Sequence, residues 1–434
     1  MRVCRRLPFM PPEAAFAALA VQPHLAFLDS ASQHDPRARV SYIGFAPCAL
    51  LRLTTGTDPY AALRGWMQAF TPPPCPADWP FEFIGGAIGW IGYDLACAEA
   101  GVTSRFPPMQ GVPEGWFGLY DKLLGFDLAR QELFYLGPAA ALEDIAALLN
   151  KNVKLPPVLP LSWQAEMDQP AYERRHEALR AYIAAGDVYQ ANLTLRFSAP
   201  RPLGCNLPAL YRQLRELSPA PFAAYLDFGA GGLACASPER FLRLTPQGEV
   251  ETRPIKGTSA RQKTPAADAA AAAALRANPK ERAENLMITD LLRNDLGKVC
   301  EIGSVRVPEL WSVESYAQAH HLVSAVTGQL CAGLDVFDLL AATLPGGSIT
   351  GAPKHRAMQI IDELEAGPRG AYCGALAWIG FDGAMDSAII IRTLTASQDR
   401  LYAQAGGGIT WDSVWRAEYQ EAMVKLSPLL ALGS

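Results

Sequence analysis

Two segments of this chain carry paired carboxylates at helical spacing. Pro279–Asp295 reads PKERAENLMITDLLRND, and its Glu281 and Glu284, three apart, share one face of a helix. Val414–Leu430 reads VWRAEYQEAMVKLSPLL, with Glu418, Glu421 and Lys425 at i, i+3 and i+7. Mg²⁺ prefers a few carboxylates completed by water and substrate oxygens, so two such pairs on facing helices would suit it. A single E-x-x-E is ordinarily a solvated helix face. Spacing permits the metal site without proving it.

Three further segments could handle an anionic substrate. Gln404–Ser413 (QAGGGITWDS) has three successive glycines, whose backbone can approach a ligand closely and whose N–H groups can cradle an anion. Arg392, read as ending a strand Ala388–Ile391, is a candidate bidentate partner for a carboxylate. Thr252–Arg261 (TRPIKGTSAR) places Lys256 between a restricting Pro254 and a freeing Gly257. A lone lysine in a turn is ordinarily a solvated cation. Nucleotide binding is excluded at Pro345–Lys354 (PGGSITGAPK), because Gly351-Ala352-Pro353 stands where a P-loop needs Gly-Lys-[Ser/Thr]. Gly85-Gly86-Ala87-Ile88-Gly89 lacks the dinucleotide-binding spacing.

The 434 residues are 50% hydrophobic and 19% charged, enough to bury a large core. A net charge of −5 argues against nucleic acid as a partner. Nine scattered cysteines without a C-x-x-C fit reduced thiols and a cytoplasmic setting. Pro8, Pro11, Pro12 and Glu13 interrupt the start, so no signal peptide is expected, and no apolar run is long enough to span a membrane.

The elements that must position these residues are strands at 83–93, 123–128, 189–197, 222–228, 232–237 and 241–244. Helices are expected at 142–150, 171–185, 266–296 (broken near Asn278–Pro279) and 414–430. Trp415, Tyr419, Ala422, Leu426 and Leu429 form the apolar stripe of the last helix. Strands cluster between helices without βαβ alternation, which predicts an α+β fold of layered β-sheets flanked by helices. The proline-rich Leu155–Pro160 separates regions 1–155 and 161–434. Ile88–Asp94 and Trp378–Asp382 share a W-I-G-[YF]-D echo too short to call a repeat.

Taken in order, GDVYQANLT (Gly186–Thr194), SPERF (Ser237–Phe241), RPIKGT (Arg253–Thr258), KERAENLMITDLLRNDL (Lys280–Leu296), HLVS (His321–Ser324), SITGAPKHRAM (Ser348–Met358), IIIRT (Ile389–Thr393), AGGGI (Ala405–Ile409) and EYQEAMVK (Glu418–Lys425) resemble the chorismate-utilising enzymes. That family includes anthranilate, aminodeoxychorismate, isochorismate and salicylate synthases. The resemblance implies the fold of that family, with 161–434 as the chorismate-binding catalytic region and 1–155 as an anthranilate-synthase-like region. By resemblance, Glu281, Glu284, Glu418 and Glu421 match the residues that hold Mg²⁺. Thr258, Ser348, Tyr372, Arg392, Gly406, Gly408 and Lys425 match those that hold substrate, and Glu239 and His321 those placed around the leaving hydroxyl.

The branch is read at two positions. Gln190 stands where isochorismate and salicylate synthases carry a water-activating lysine. Lys256 stands where anthranilate synthases usually have alanine, so PIKGT resembles the aminodeoxychorismate synthases. That resemblance implies a nucleophilic Lys256, chorismate and ammonia as substrates, and anthranilate synthase component I as the alternative. An amine of ordinary pKa about 10.4 must be partly neutral to attack, and a positive neighbour (Mg²⁺ or Arg253) would assist. No cysteine sits in a Gly-rich elbow, so a separate glutamine amidotransferase subunit is the expected partner. Leu28–Ala31 and Ser41–Gly44 resemble part of the family's tryptophan pocket, which makes tryptophan a partner that the resemblance allows without requiring.

Overall fold

A computed structural model describes residues 2–32, 39–151, 153–315 and 319–434. Within them the chain builds two large β-sheets flanked by helices, and every strand pairing is antiparallel. The expected α+β class holds. A doubly wound parallel sheet would have required crossovers of a kind the sequence does not offer.

The 12-stranded sheet runs Arg2–Leu7, Glu132–Pro138, Leu123–Asp127, Val40–Gly44, Ala26–Asp29, Phe222–Asp227, Gly232–Ser237, Thr393–Ala396, Arg400–Ile409, Gln190–Pro200, Gly351–Ala352, with Gln164–Ala165 beside Gln190–Pro200. The 10-stranded sheet runs Ile255–Ala260, Ala319–Gln329, Glu249–Thr252, Arg240–Leu244, Met385–Ile389, Ala375–Gly380, Gly86–Ile91, Gly115–Tyr120, Ala49–Leu53, with Arg306–Ser315 beside Ala319–Gln329. Regions 1–155 and 161–434 both supply strands to both sheets: Ala26–Asp29 pairs with Phe222–Asp227, and Gly86–Ile91 with Ala375–Gly380. The two copies of the W-I-G echo are thus neighbouring strands, with Trp378 opposite Ile88.

Local chemistry explains the helices that matter. Asn278 ends one helix (Pro265–Ala277) and caps the next (Pro279–Gly297), its side chain accepting from the Lys280 and Glu281 N–H groups. Pro279 then occupies a first-turn position where no N–H is needed. The last helix, Trp415–Leu430, buries Ala422, Leu426 and Leu429 against the 12-stranded sheet, and also Glu418, while Trp415 and Tyr419 are half-buried.

One expectation needs correction. The strand before Arg392 is Met385–Ile389, ending short of Ile391, and Arg392 adopts a left-handed φ of 50°. The reason is topological: Met385–Ile389 belongs to one sheet and Thr393–Ala396 to the other, so the chain must turn between layers here. The other shifts, such as Gly86–Ile91 inside 83–93, are of strand ends only.

Candidate functional site

The SITGAP turn, the IKGT strand, the helix Pro279–Gly297, the glycine strand Arg400–Ile409 and the last helix converge around Lys256. Its Nζ donates to the Ser348 carbonyl at 3.0 Å. Burial is the main influence on this amine and pushes its pKa below the ordinary lysine value. Glu239, Glu284 and Glu421 oppose that shift, and the Lys425 ammonium adds to it. The positive neighbour is therefore Lys425. Arg253, the expected candidate, is engaged elsewhere, donating to Glu309 at 2.9 Å and Glu314 at 2.6 Å.

Glu239 is 7% exposed. Burial raises its pKa, against the pull of Lys256, of the Ser348 side chain and of the Ile255 N–H. A carboxyl so placed favours the protonated form and can deliver a proton. Tyr372 and Arg392 reach the same neighbourhood through the backbone: Ile389 N–H donates to the Glu239 carbonyl (3.2 Å) and Cys373 N–H to that of Ile390 (2.7 Å). Burial alone lowers the Arg392 pKa, and no hydrogen bond or ion pair of its guanidinium is seen among the described residues. A desolvated, unpaired guanidinium is suited to a carboxylate ligand.

Glycines make room for this arrangement. At Gly257 (φ +89°) a Cβ would lie 2.8 Å from a Glu281 carboxylate oxygen, and at Gly406 one would lie 2.1 Å from the Leu193 carbonyl. At Gly408 the obstacle is the Gln190 amide, at 2.2 Å. Lys425 Nζ donates to the Gly406 carbonyl at 2.9 Å. Thr258 and His321 pair with each other, Oγ1 to Nδ1 at 2.9 Å across adjacent strands, and Thr258 lies two residues along the strand from Lys256.

The four glutamates fall on two elements that both approach Lys256. Burial raises Glu281, Glu284 and Glu418, and like charges add to it: Glu421 acts on Glu281 and Glu418, while Glu281 and Glu418 act on Glu284. Three of the four have protein partners close by: Lys425 holds Glu421 at 2.7 Å, Lys280 approaches Glu284 at 3.8 Å, and Ser413 donates to Glu418 at 2.7 Å. Among the described residues no three His, Cys, Asp or Glu side chains are gathered closely enough to hold a metal ion. The donor chemistry nonetheless fits a hard divalent cation, because all-oxygen, mutually repelling and partly desolvated carboxylates are what such an ion stabilises.

Several positioning residues escaped sequence reasoning. Arg369 and Glu365 form a buried pair with two hydrogen bonds at 3.0 and 2.8 Å; the same guanidinium holds the Ile349 carbonyl at 2.9 Å, next to Ser348. Thr194 donates to Glu365 (2.7 Å) and accepts from Gln404 (2.8 Å), linking the pair to the glycine strand. Asp295 pairs with Lys354, closing the SITGAPK turn on the Pro279–Gly297 helix. The only local hint was charged residues inside apolar surroundings.

A cavity of about 500 Å³ is bounded from both regions, by Leu28, Asp29, Ser30 and Tyr42 of 1–155 and by Arg240 and Trp378 of 161–434, among others. Asp29 is buried there beneath Arg215 (2.6 Å) and Tyr211 (2.8 Å). All nine cysteines are free thiols, and among the described residues no helix is long and apolar enough to cross a membrane.

The family of chorismate binding enzymes matches residues 25–431. Aminodeoxychorismate synthase component 1 of Klebsiella aerogenes is 42% identical, over 98% of this chain and 97% of that protein. Anthranilate synthase component 1 of Geobacillus stearothermophilus is 36% identical, over 93% and 87%. The crystal structure of anthranilate synthase component I from Streptococcus pneumoniae TIGR4 superimposes with a TM-score of 0.79 at 31% identity, covering 93% of each chain. This chain belongs to the chorismate-binding enzyme family.

Proposed function

We propose that this chain is the chorismate-aminating component of an aminodeoxychorismate synthase, an enzyme that converts chorismate and ammonia to 4-amino-4-deoxychorismate for 4-aminobenzoate and folate synthesis. The observation that carries the reading is Lys256, a desolvated amine beside a buried glutamate and below the ordinary lysine pKa. The names of relatives such as the 42%-identical one support it. The relatives and the solved structure that are anthranilate synthases favour anthranilate synthesis as the second reading.

In the proposed mechanism the Lys256 lone pair bonds to C2 of chorismate. The C1=C2 pair shifts to C1=C6, the C5=C6 pair shifts to C4=C5, and the C4 hydroxyl leaves as water with a proton from Glu239. Ammonia then bonds to C4, the double bonds return, and the lysine amine leaves C2. Splitting one displacement into two is the usual gain of covalent catalysis. Arg392, Tyr372, Lys425, Thr258, Ser348 and the Gly406 and Gly408 backbone hold substrate, and His321 sits by the leaving group. Glu281, Glu284, Glu418 and Glu421 would hold Mg²⁺, which when bound supplies positive charge for the substrate's ring carboxylate.

Glutamine hydrolysis needs an activated thiolate, whereas burial raises the thiol pKa at Cys4, Cys48, Cys75, Cys97, Cys205, Cys235, Cys300 and Cys373. This supports ammonia delivered by a glutamine amidotransferase subunit, in a cytoplasmic setting. The reading assigns catalysis to 161–434 and an anthranilate-synthase-like region to 1–155. The 500 Å³ cavity that Leu28–Ser30 and Tyr42 line together with Arg240 and Trp378 is the proposed tryptophan pocket, and a calorimetric titration showing no tryptophan binding would remove that assignment.

The test is product analysis of the purified chain with chorismate, Mg²⁺ and ammonium at mildly alkaline pH, beside Lys256→Ala. Aminodeoxychorismate from the wild type, and at least a hundredfold less from Lys256→Ala, is expected. Anthranilate with pyruvate would overturn the reading, and so would glutamine-dependent turnover without a partner for the ammonia source.

A further inference from the structure

The strand Arg306–Ser315 does not pair evenly with its neighbour Ala319–Gln329. Glu309 stands opposite Ala325 and Ser312 opposite Val323, so Leu310 and Trp311 together face Ser324. A bulge of this kind bends a strand and turns a side chain in a new direction. At Trp311 the backbone is left-handed, φ 57°, a conformation that bulky residues rarely adopt and that costs energy to hold.

The contacts that hold it lead to the helix Pro279–Gly297. The Trp311 backbone N–H donates to the Ser324 hydroxyl at 3.1 Å, and that hydroxyl donates to the buried Asn285 side chain. The indole Nε1–H donates to the Arg282 carbonyl at 3.2 Å. The Arg282 guanidinium lies 3.8 Å from the centre of the same ring, a cation–π contact. Arg282 stands between Glu281 and Glu284 in one helical turn. The Ser324 N–H reaches the Pro254 carbonyl at 3.4 Å, two residues before Lys256. The bulge thus ties the turn that carries two carboxylates to the segment that carries the lysine. A hairpin needs no left-handed tryptophan to pack, since glycine takes up that backbone at lower cost. What tryptophan adds is a ring N–H for the carbonyl and a ring face for the guanidinium.

We propose that Trp311 is a positioning residue for the metal site: its grip on Arg282 sets where Glu281 and Glu284 stand, and so makes the site select Mg²⁺. The proposal rests on the reading of those glutamates as metal ligands. Mg²⁺ demands near-octahedral geometry at short oxygen distances, whereas Ca²⁺ accepts a looser and more variable set. Freedom of this helical turn therefore costs Mg²⁺ binding and spares Ca²⁺.

Calorimetric titration of the full chain carrying Lys256→Ala, with chorismate bound, measures Mg²⁺ and Ca²⁺ binding without turnover. Adding Trp311→Gly should weaken Mg²⁺ about 10- to 100-fold, the usual loss when support behind metal ligands is removed, and leave Ca²⁺ affinity almost unchanged. Trp311→Phe, which keeps a ring and loses its N–H, should fall between. Hydrogen exchange needs no metal. In Trp311→Gly the amides of Asn285–Ile288, which close the turn bearing the glutamates, should exchange several-fold faster. A parent that binds no Mg²⁺ would overturn the metal reading and the proposal with it. Mg²⁺ bound alike by the parent and both variants, equal losses for Mg²⁺ and Ca²⁺, or unchanged exchange would overturn the proposal and leave the metal reading standing.

Discussion

Replacing Glu365 with glutamine should destabilise the protein by about 3–5 kcal/mol, the usual cost of removing one partner from a buried ion pair. The side chains of Arg369 and Glu365 are only 1% and 4% exposed, so solvent cannot screen the charge left behind. Glutamine keeps the shape and can still accept from Thr194, which isolates the loss of charge from the loss of packing. The double replacement Glu365→Leu, Arg369→Met removes both charges and the need to desolvate them. It leaves the Ile349 carbonyl without its donor, at about 1–3 kcal/mol for a buried unsatisfied group. The double variant should therefore be more stable than Glu365→Gln, by about 2 kcal/mol from the difference of these two costs. Its turnover should still fall, because Ile349 is next to the Ser348 carbonyl that meets Lys256. Guanidinium unfolding followed by tryptophan fluorescence, with the slope checked for constancy, measures the first part. A Glu365→Gln variant within about 1 kcal/mol of wild type, or a double variant as unstable as the single, would refute the reasoning.

Two further outcomes are expected. Arg392→Met should raise KM for chorismate by about 10- to 100-fold, the worth of a charge-assisted bond to a carboxylate. Arg392→Gly should do the same while relieving the left-handed backbone at φ 50°, so it should melt no lower than wild type; an unchanged KM in both sinks the assignment. Asp94, which accepts from the Arg369 and Gly370 N–H groups, is pushed by burial up to about 6 from 3.8. A carboxyl raised in the folded state favours the protein when protonated, so its contribution is full below about pH 4 and is lost as pH rises through about 6. That amounts to about 3 kcal/mol at 1.36 kcal/mol per unit. Asp94→Asn should flatten this part of the stability-versus-pH curve, and an unchanged slope would show that another group titrates there.

Much of this was legible because it is local. The Asn278–Pro279 break was readable since a capping side chain and a proline both act within one turn of their own position. The strand at Gly232–Ser237 was readable as a short apolar run between turns. What was not legible depends on partners that only the fold supplies. Arg392 was read as a strand end, yet it lies where the chain passes from one sheet to the other, and no local pattern marks that change. Glu365 and Arg369 are four apart, but the helix stops at Leu364, so helical spacing does not explain their contact. Arg2 looked like one of several basic residues near the start and is instead buried beside a proline-rich stretch more than seventy positions away. The same division runs through the site itself. The motif Arg253–Thr258 shows that a lysine sits between proline and glycine, which by itself describes a solvated turn. Its altered proton affinity comes from burial by segments remote in sequence, including Ser348, 92 residues on, and from Glu239, Glu284, Glu421 and Lys425. A motif can therefore name the nucleophile, while the reason it could act as one belongs to the packing of five separate elements.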